Sequence, residues 1–230
     1  MHDSAKKSFI LFKENYLNAS NKIKIVEIGS RSVNADIRNT LNNNFSYIGL
    51  DIEAGKNVDV VLENPYKFPF EDSSIDVIIS ISVFEHTEFF WLTFLEILRV
   101  LKPQGLFFLN APSNSKYHRH ETDNWRFYPD SGNALINWAK KNNFNPILLE
   151  SFISKQYLEC GWNDYVSITL KDKKYLEIYN DKIISKINNF TNGIDHEGKI
   201  YNFSSKSQDQ ENWGFRLWYK IRKKIDKLRH

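Results

Sequence analysis

Four short apolar runs, the first of them rich in β-branched residues and stopped by a glycine, constrain this chain more than any other feature. They are KIKIVEIG (22–29), SYIGLDI (46–52), SIDVIISIS (74–82) and QGLFFLNAP (104–112). Each is short enough for a strand buried on both faces, and NVDVVLE (57–63) reads as a weaker one. Helical spacing lies between them, at Ile37 and Leu41 in NADIRNTLNN (34–43) and throughout the strongly apolar FFWLTFLEILRVLK (89–102). Strands alternating with helices argue a parallel sheet covered on both sides. Right-handed crossovers then make it doubly wound, with ligands at the carboxyl ends of its strands.

Further along, DSGNALINWAKKNNF (130–144) reads as a helix with Asp130 or Ser131 as N-cap. The runs NPILLESFISKQY (145–157) and NDYVSITLK (163–171) read as a hairpin at the sheet edge. The expected fold is thus α/β: a Rossmann-like sheet of about seven mostly parallel strands with an antiparallel edge hairpin. Residues 1–20 form an N-terminal helical segment, 21–172 the main domain, and 173–230 a helical extension. Within that extension KYLEIYNDKIISKINNF (174–190) reads as helix and 191–212 as a polar loop.

The extension closes on WGFRLWYKIRKKIDKLRH (213–230), with Phe215, Trp218, Ile221, Ile225 and Leu228 on one stripe of a basic helix. Three destinations suit such a helix: its own domain, an anionic membrane surface, or RNA. The net charge of +3 is too mild to imply nucleic acid by itself. No apolar run approaches the roughly 20 residues of a membrane span. With a single cysteine, Cys160, and no signal-peptide pattern, a cytoplasmic protein is expected, with peripheral membrane contact through 213–230 as an option.

The first strand ends at a glycine in VEIGSRSVN, without G-x-G-x-x-G or a P-loop, so dinucleotide and P-loop sites lose their main support. An acid two residues before that glycine (Glu27, Gly29) and Asp51 at the end of the second strand remain. A carboxylate there can accept from two ribose hydroxyls. After the fifth strand comes SNSKYHRHETDNWRFYPD, dense in polar and aromatic groups that a core does not hold cheaply. His118 suits a general base, and Arg119 and Arg126 offer planar forks for an anion. Trp125 and Tyr128 could stack on a sugar or base, whereas Phe127 reads as core. A metal held by His118, His120, Glu121 and Asp123 is chemically possible, but four potential ligands crowded into one short loop do not make a metal site the expectation.

The order VEIGSRSVNADIR, YIGLDIEAGKNVDVV, PFEDSSIDVIISISVFEH, FLEILRVLKPQGLFFLNAPS resembles the class I S-adenosylmethionine-dependent methyltransferases. It is similar in particular to a bacterial subfamily of surface-polysaccharide (capsule) modification, whose first motif is G-S-R-x-V-N and whose late loop is H-R-x-x-x-D-x-W-R-F-Y-P-D. The resemblance spans roughly residues 22–170. It implies S-adenosylmethionine as cofactor, with Glu27, Gly29, Ser30 and Arg31 around the methionine part and Asp51 and Ile52 at the ribose. Glu63 and Asn64 would approach the adenine, and Ser80, Val83, Glu85 and His86 the sulfonium. Asn64-Pro65-Tyr66 follows the third strand rather than the fourth, so it reads as a turn beside the adenine, not an amine-binding motif. Arg31 and Val33 stand where commoner members have glycine.

The loop after the fifth strand would then face the acceptor, with His118 as base and Arg119, His120, Asp123, Trp125, Arg126 and Tyr128 binding substrate. The implied reaction is O-methylation of a small, nucleotide-linked or glycan acceptor: a sugar hydroxyl, or a phosphoramidate or phosphate oxygen. A nucleic-acid methyltransferase and a non-catalytic cofactor- or glycan-binding scaffold are the alternatives.

Overall fold

The computed structural model describes residues 3–17, 22–31, 37–119, 121–155, 162–206, 208, 217 and 221. Among the described residues nine strands form one sheet: β1 (Ile23–Ile28), β2 (Phe45–Asp51), β3 (Val60–Val61), β4 (Ile75–Ile81), β5 (Leu101–Pro112), β6 (Ile147–Ser154), β7 (Asp164–Leu170), β8 (Phe190–Asp195) and β9 (Ile200–Tyr201). Their spatial order is β3-β2-β1-β4-β5-β7-β6-β8-β9. From β3 to β5 every pairing is parallel, and from β5 to β9 every pairing is antiparallel. The direction of strand addition reverses between β1 and β4, the place where open α/β sheets bind ligands.

Alternating side chains of the strands feed two cores. Phe107 and Leu109 join Val26, Leu50 and Ile78 against α2 (Phe90–Val100) and α3 (Ser131–Lys141). Their neighbours Leu106 and Phe108 face the other way, with Ile25, Val77 and Ile79, against α1 (Asp3–Tyr16). The α1 helix is a full partner in that core. Phe9 and Phe12 are fully buried on Phe108, and Ser4 Oγ donates to Asp164 Oδ2 at 2.7 Å.

Several expectations are corrected. The hairpin of β6 and β7 is not at the edge, because β8 pairs with β6 and β9 with β8. Residues 174–190 form no α-helix; short 3-10 turns lie at Lys173–Ile178 and Ile183–Ser185. The buried Glu150 carboxylate accepts the amides of Ile183 and Ile184 at 2.7 and 2.9 Å, so a side chain caps the backbone there in place of helical carbonyls. Within 191–212, most of β8 and all of β9 replace the expected loop, with Ile194 buried. The helix expected at 34–43 is a 3-10 turn at Arg38–Thr40 among its described residues. Asp130 occupies the N-cap position of α3 without a side-chain capping bond. The basic helix of 213–230 lies outside the described residues, apart from Leu217 and Ile221, which are helical and exposed. Among the described residues no helix is long and apolar enough to cross a membrane.

Candidate active site

A cavity of about 790 Å³ opens at the carboxyl ends of β1, β2, β4 and β5, at the switch point. That volume suits a cofactor together with part of a second ligand. Gly29, Ser30 and Arg31 follow β1 into its wall, Asp51 and Ile52 end β2, and Ser82 and Val83 follow β4.

On the β1–β2 side the chain geometry is tight. Gly29 has φ +71°, and a Cβ there would stand 2.2 Å from Val83 Cγ2, so both conformation and space demand glycine. Asp51 is fixed by two backbone donors: Arg31 N at 2.9 Å on Oδ2 and Glu53 N at 3.2 Å on Oδ1. Each carboxylate oxygen keeps acceptor capacity beyond one bond, which suits a diol. Glu27 is buried and accepts from Tyr47 OH, while the Arg38 guanidinium lies 4.5 Å over the Tyr47 ring. Arg31 pairs with Glu53. The apolar surface beside Asp51 comes from Ile52, Leu62 and Pro65, with Tyr66. Glu63 and Asn64 point elsewhere; Asn64 Oδ1 accepts Tyr66 N at 2.8 Å and builds the turn read from the sequence. Ser80 is fully buried within β4, behind the wall.

The opposite wall is made by two stitched loops. The Glu85 carbonyl accepts Asn124 N at 2.7 Å and Trp125 N at 3.1 Å, and the His86 carbonyl accepts Thr122 Oγ1 at 2.9 Å. In return His86 Nδ1 donates to Thr122 O at 2.5 Å, and Trp125 Nε1 donates to Thr87 O at 3.0 Å. The loop after β5 thereby holds His118 on the cavity. Asp123 braces it: Arg126 Nη1 and Nη2 donate to its two oxygens at 2.5 and 2.8 Å, and His118 N donates at 2.8 Å. Those bonds to Arg126, with the nearby positive charge, hold the Asp123 carboxyl down to about 2.

The structure therefore divides the residues expected to bind substrate. Arg126 is spent on Asp123, Trp125 O and Lys116 O, and Arg119 donates to Glu121 O, so neither guanidinium lines the cavity. Trp125 packs edge-on against Phe90 and Trp91, Phe127 is core as read, and Tyr128 is 61 % exposed away from the cavity. His120 lies outside the described residues. Asp123, bound by Arg126, does not join His118 as a ligand set. Instead the ligating atoms of Glu85, His86 and His118 lie within 4.8 Å of one another. Glu85 is 1 % exposed, and burial pushes its carboxyl up to about 8; its Oε2 has no hydrogen-bond partner. Lys116 and Trp162 also line the cavity without having been singled out. Lys116 sat two residues from His118, which was the available signal; Trp162 arrives through the β5–β7 pairing, which leaves no local trace.

Residues 24–109, from β1 into β5, match the family model of a methyltransferase domain. This chain carries a methyltransferase domain. No curated protein matches the chain. Among solved structures, the methyltransferase is similar to 1,6-didemethyltoxoflavin-N1-methyltransferase of Burkholderia thailandensis, described with S-adenosylhomocysteine bound. The TM-score is 0.54 at 13 % identity, covering 74 % of this chain and 79 % of that one. YcgJ of Bacillus subtilis gives 0.53 at 14 % identity, covering 75 % and 100 %. The CurJ carbon methyltransferase gives 0.50 at 18 % identity, covering 74 % of this chain and 54 % of that one, about half its length. At these identities the likeness is one of fold.

Proposed function

We propose that this methyltransferase moves a methyl group from S-adenosylmethionine to an oxygen of a small or carrier-linked acceptor. The cofactor is S-adenosylmethionine. It supplies a methyl group on a positively charged sulfur and leaves as S-adenosylhomocysteine. The residues present fit it. The bare backbone at Gly29 allows close approach beside Ser30 and Arg31, Asp51 offers both oxygens to the ribose, and Ile52, Leu62 and Pro65 suit a flat base. Glu27 shapes the methionine end.

The observation that carries this reading is the placement of Glu85, His86 and His118 on the wall opposite Asp51, in the same cavity. Those three groups activate the acceptor: they hold its oxygen in line with the methyl carbon and ease the loss of its proton. Alignment alone contributes roughly 7–11 kcal/mol to such a transfer. Lys116, the cation among the described lining residues on the acceptor side, faces an anionic part of the acceptor. A sugar hydroxyl, or a phosphate or phosphoramidate oxygen of a capsule precursor, meets these requirements, supported by the resemblance of the late loop. The basic and aromatic sequence of 213–230 suits an anionic membrane carrying such a precursor.

The test is transfer of isotopic methyl from S-adenosylmethionine into the metabolite pool of a capsule-producing bacterium. Label in nucleotide- or lipid-linked glycan supports the proposal. Label confined to RNA, or no release of S-adenosylhomocysteine with any fraction, refutes it.

A further inference from the structure

We propose that Glu85, His86 and His118 form a binding site for one divalent transition-metal ion of the zinc, iron(II) or manganese class, placed to hold the acceptor oxygen. The proposal rests on the methyltransferase reading for its purpose, though not for its geometry. Two imidazoles and one carboxylate are a donor set that such ions take while keeping positions open for substrate. Ligand bonds of about 2.0–2.2 Å put two ligands of one ion roughly 3–4 Å apart. Here His86 Nε2 stands 3.7 Å from Glu85 Oε1, too long for a hydrogen bond and right for two ligands of a shared ion. All three ligating atoms lie within 4.8 Å, so closure onto one ion needs only small side-chain shifts.

The surroundings set the ligating state of each imidazole. His86 Nδ1 donates to Thr122 O, which assigns the lone pair to Nε2, the nitrogen facing Glu85. His118 Nδ1 stands 3.4 Å from Lys116 O and 3.5 Å from Asp123 Oδ2, two acceptors. Arg126 Nη2 is also 3.4 Å away, but its two hydrogens go to Asp123 Oδ2 at 2.8 Å and Lys116 O at 3.2 Å. The proton therefore sits on Nδ1 and the ligating lone pair on Nε2. Metal-bound histidines are held in this way, each donating its second nitrogen to a carbonyl or carboxylate. Glu85 supplies the independent sign: a buried carboxylate on the cavity wall whose Oε2 meets no donor. A cation satisfies what the protein leaves open.

The local charge is compatible. The Arg126 guanidinium is neutralised by Asp123, and Glu88 and Glu121 line the same cavity opposite the charge of Lys116. An acceptor hydroxyl bound at an open position loses its proton to water more readily. Its oxygen then forms the new bond to the methyl carbon, and the carbon–sulfur pair returns to sulfur.

The test is titration of the chelator-treated, dialysed full-length protein with Co²⁺, read by visible d–d absorption. One saturable Co²⁺ per chain is expected, with affinity falling at least tenfold in both His86→Ala and Glu85→Gln. Glu85→Gln keeps the side-chain shape, and circular dichroism with thermal unfolding confirms the fold of each variant. Absence of a saturable band, or equal affinity in wild type and both variants, overturns the site. Loss of S-adenosylhomocysteine binding by the wild type with Co²⁺ retained would instead sink the cofactor reading and leave the metal site standing.

Discussion

Glu85 and Glu150 are buried to the same depth in opposite halves of the sheet, at 1 % and 0 % exposure. Burial raises the pKa of both carboxyls. In the antiparallel half, Glu150 on β6 accepts Tyr16 OH at 2.6 Å together with the amides of Ile183 and Ile184. It pins α1 and a 3-10 turn to the sheet, and every donor around it has a use inside the fold. In the parallel half, Glu85 follows β4 onto a cavity and keeps an oxygen without a partner. A buried polar group left unsatisfied costs on the order of 1–3 kcal/mol, so Glu150 serves stability, whereas the open oxygen of Glu85 is what the proposed metal site would use.

That contrast breaks most readily on activity. His118→Ala should lower kcat roughly 10²–10⁴-fold and leave S-adenosylhomocysteine affinity nearly unchanged, because the change lies on the acceptor wall. Single-turnover kinetics with calorimetry checks both numbers, and a near-wild-type kcat would end the assignment. Next in size, Glu150→Ala should destabilise the protein by about 3 kcal/mol or more, since three donors lose one acceptor. Urea unfolding measures it; turnover per folded molecule should not change. Asp51→Ala should weaken cofactor binding by about 1–3 kcal/mol with little loss of stability, and equal binding by calorimetry would remove Asp51 from the ribose site. Smallest is Tyr128→Ala, where stability and KM should stay within about 0.5 kcal/mol. A larger shift would return Tyr128 to the acceptor site.

The same division explains what the sequence disclosed. Strands β1, β4 and β5 are buried along most of their length, so their apolar runs mark them, while β2 is only partly buried and is marked by its apolar end; the glycine after β1 and the acid at the end of β2 mark the cofactor wall. Strands β8 and β9 leave little trace because their residues alternate with asparagine, glycine and aspartate, and β8 gains its place from pairing with β6. In the site, Arg126 looked like a substrate fork because a sequence does not show that Asp123 already occupies it. Glu85 and His86 were expected beside the sulfonium; their link to His118 depends on hydrogen bonds between loops 36 to 38 residues apart in the chain.

The pairing of β5 has a consequence for synthesis. Its run from Leu106 to Ala111 is entirely buried, with β4 on one side and β7 on the other. The partner for Leu106 is Leu170, so a nascent chain carries a greasy, unpaired edge until the ribosome has made dozens of further residues. Such an edge is a template for pairing with another copy. A chain that stalls between β5 and β7 would therefore be prone to aggregate, whereas one from which β7 has fully emerged can cover that edge.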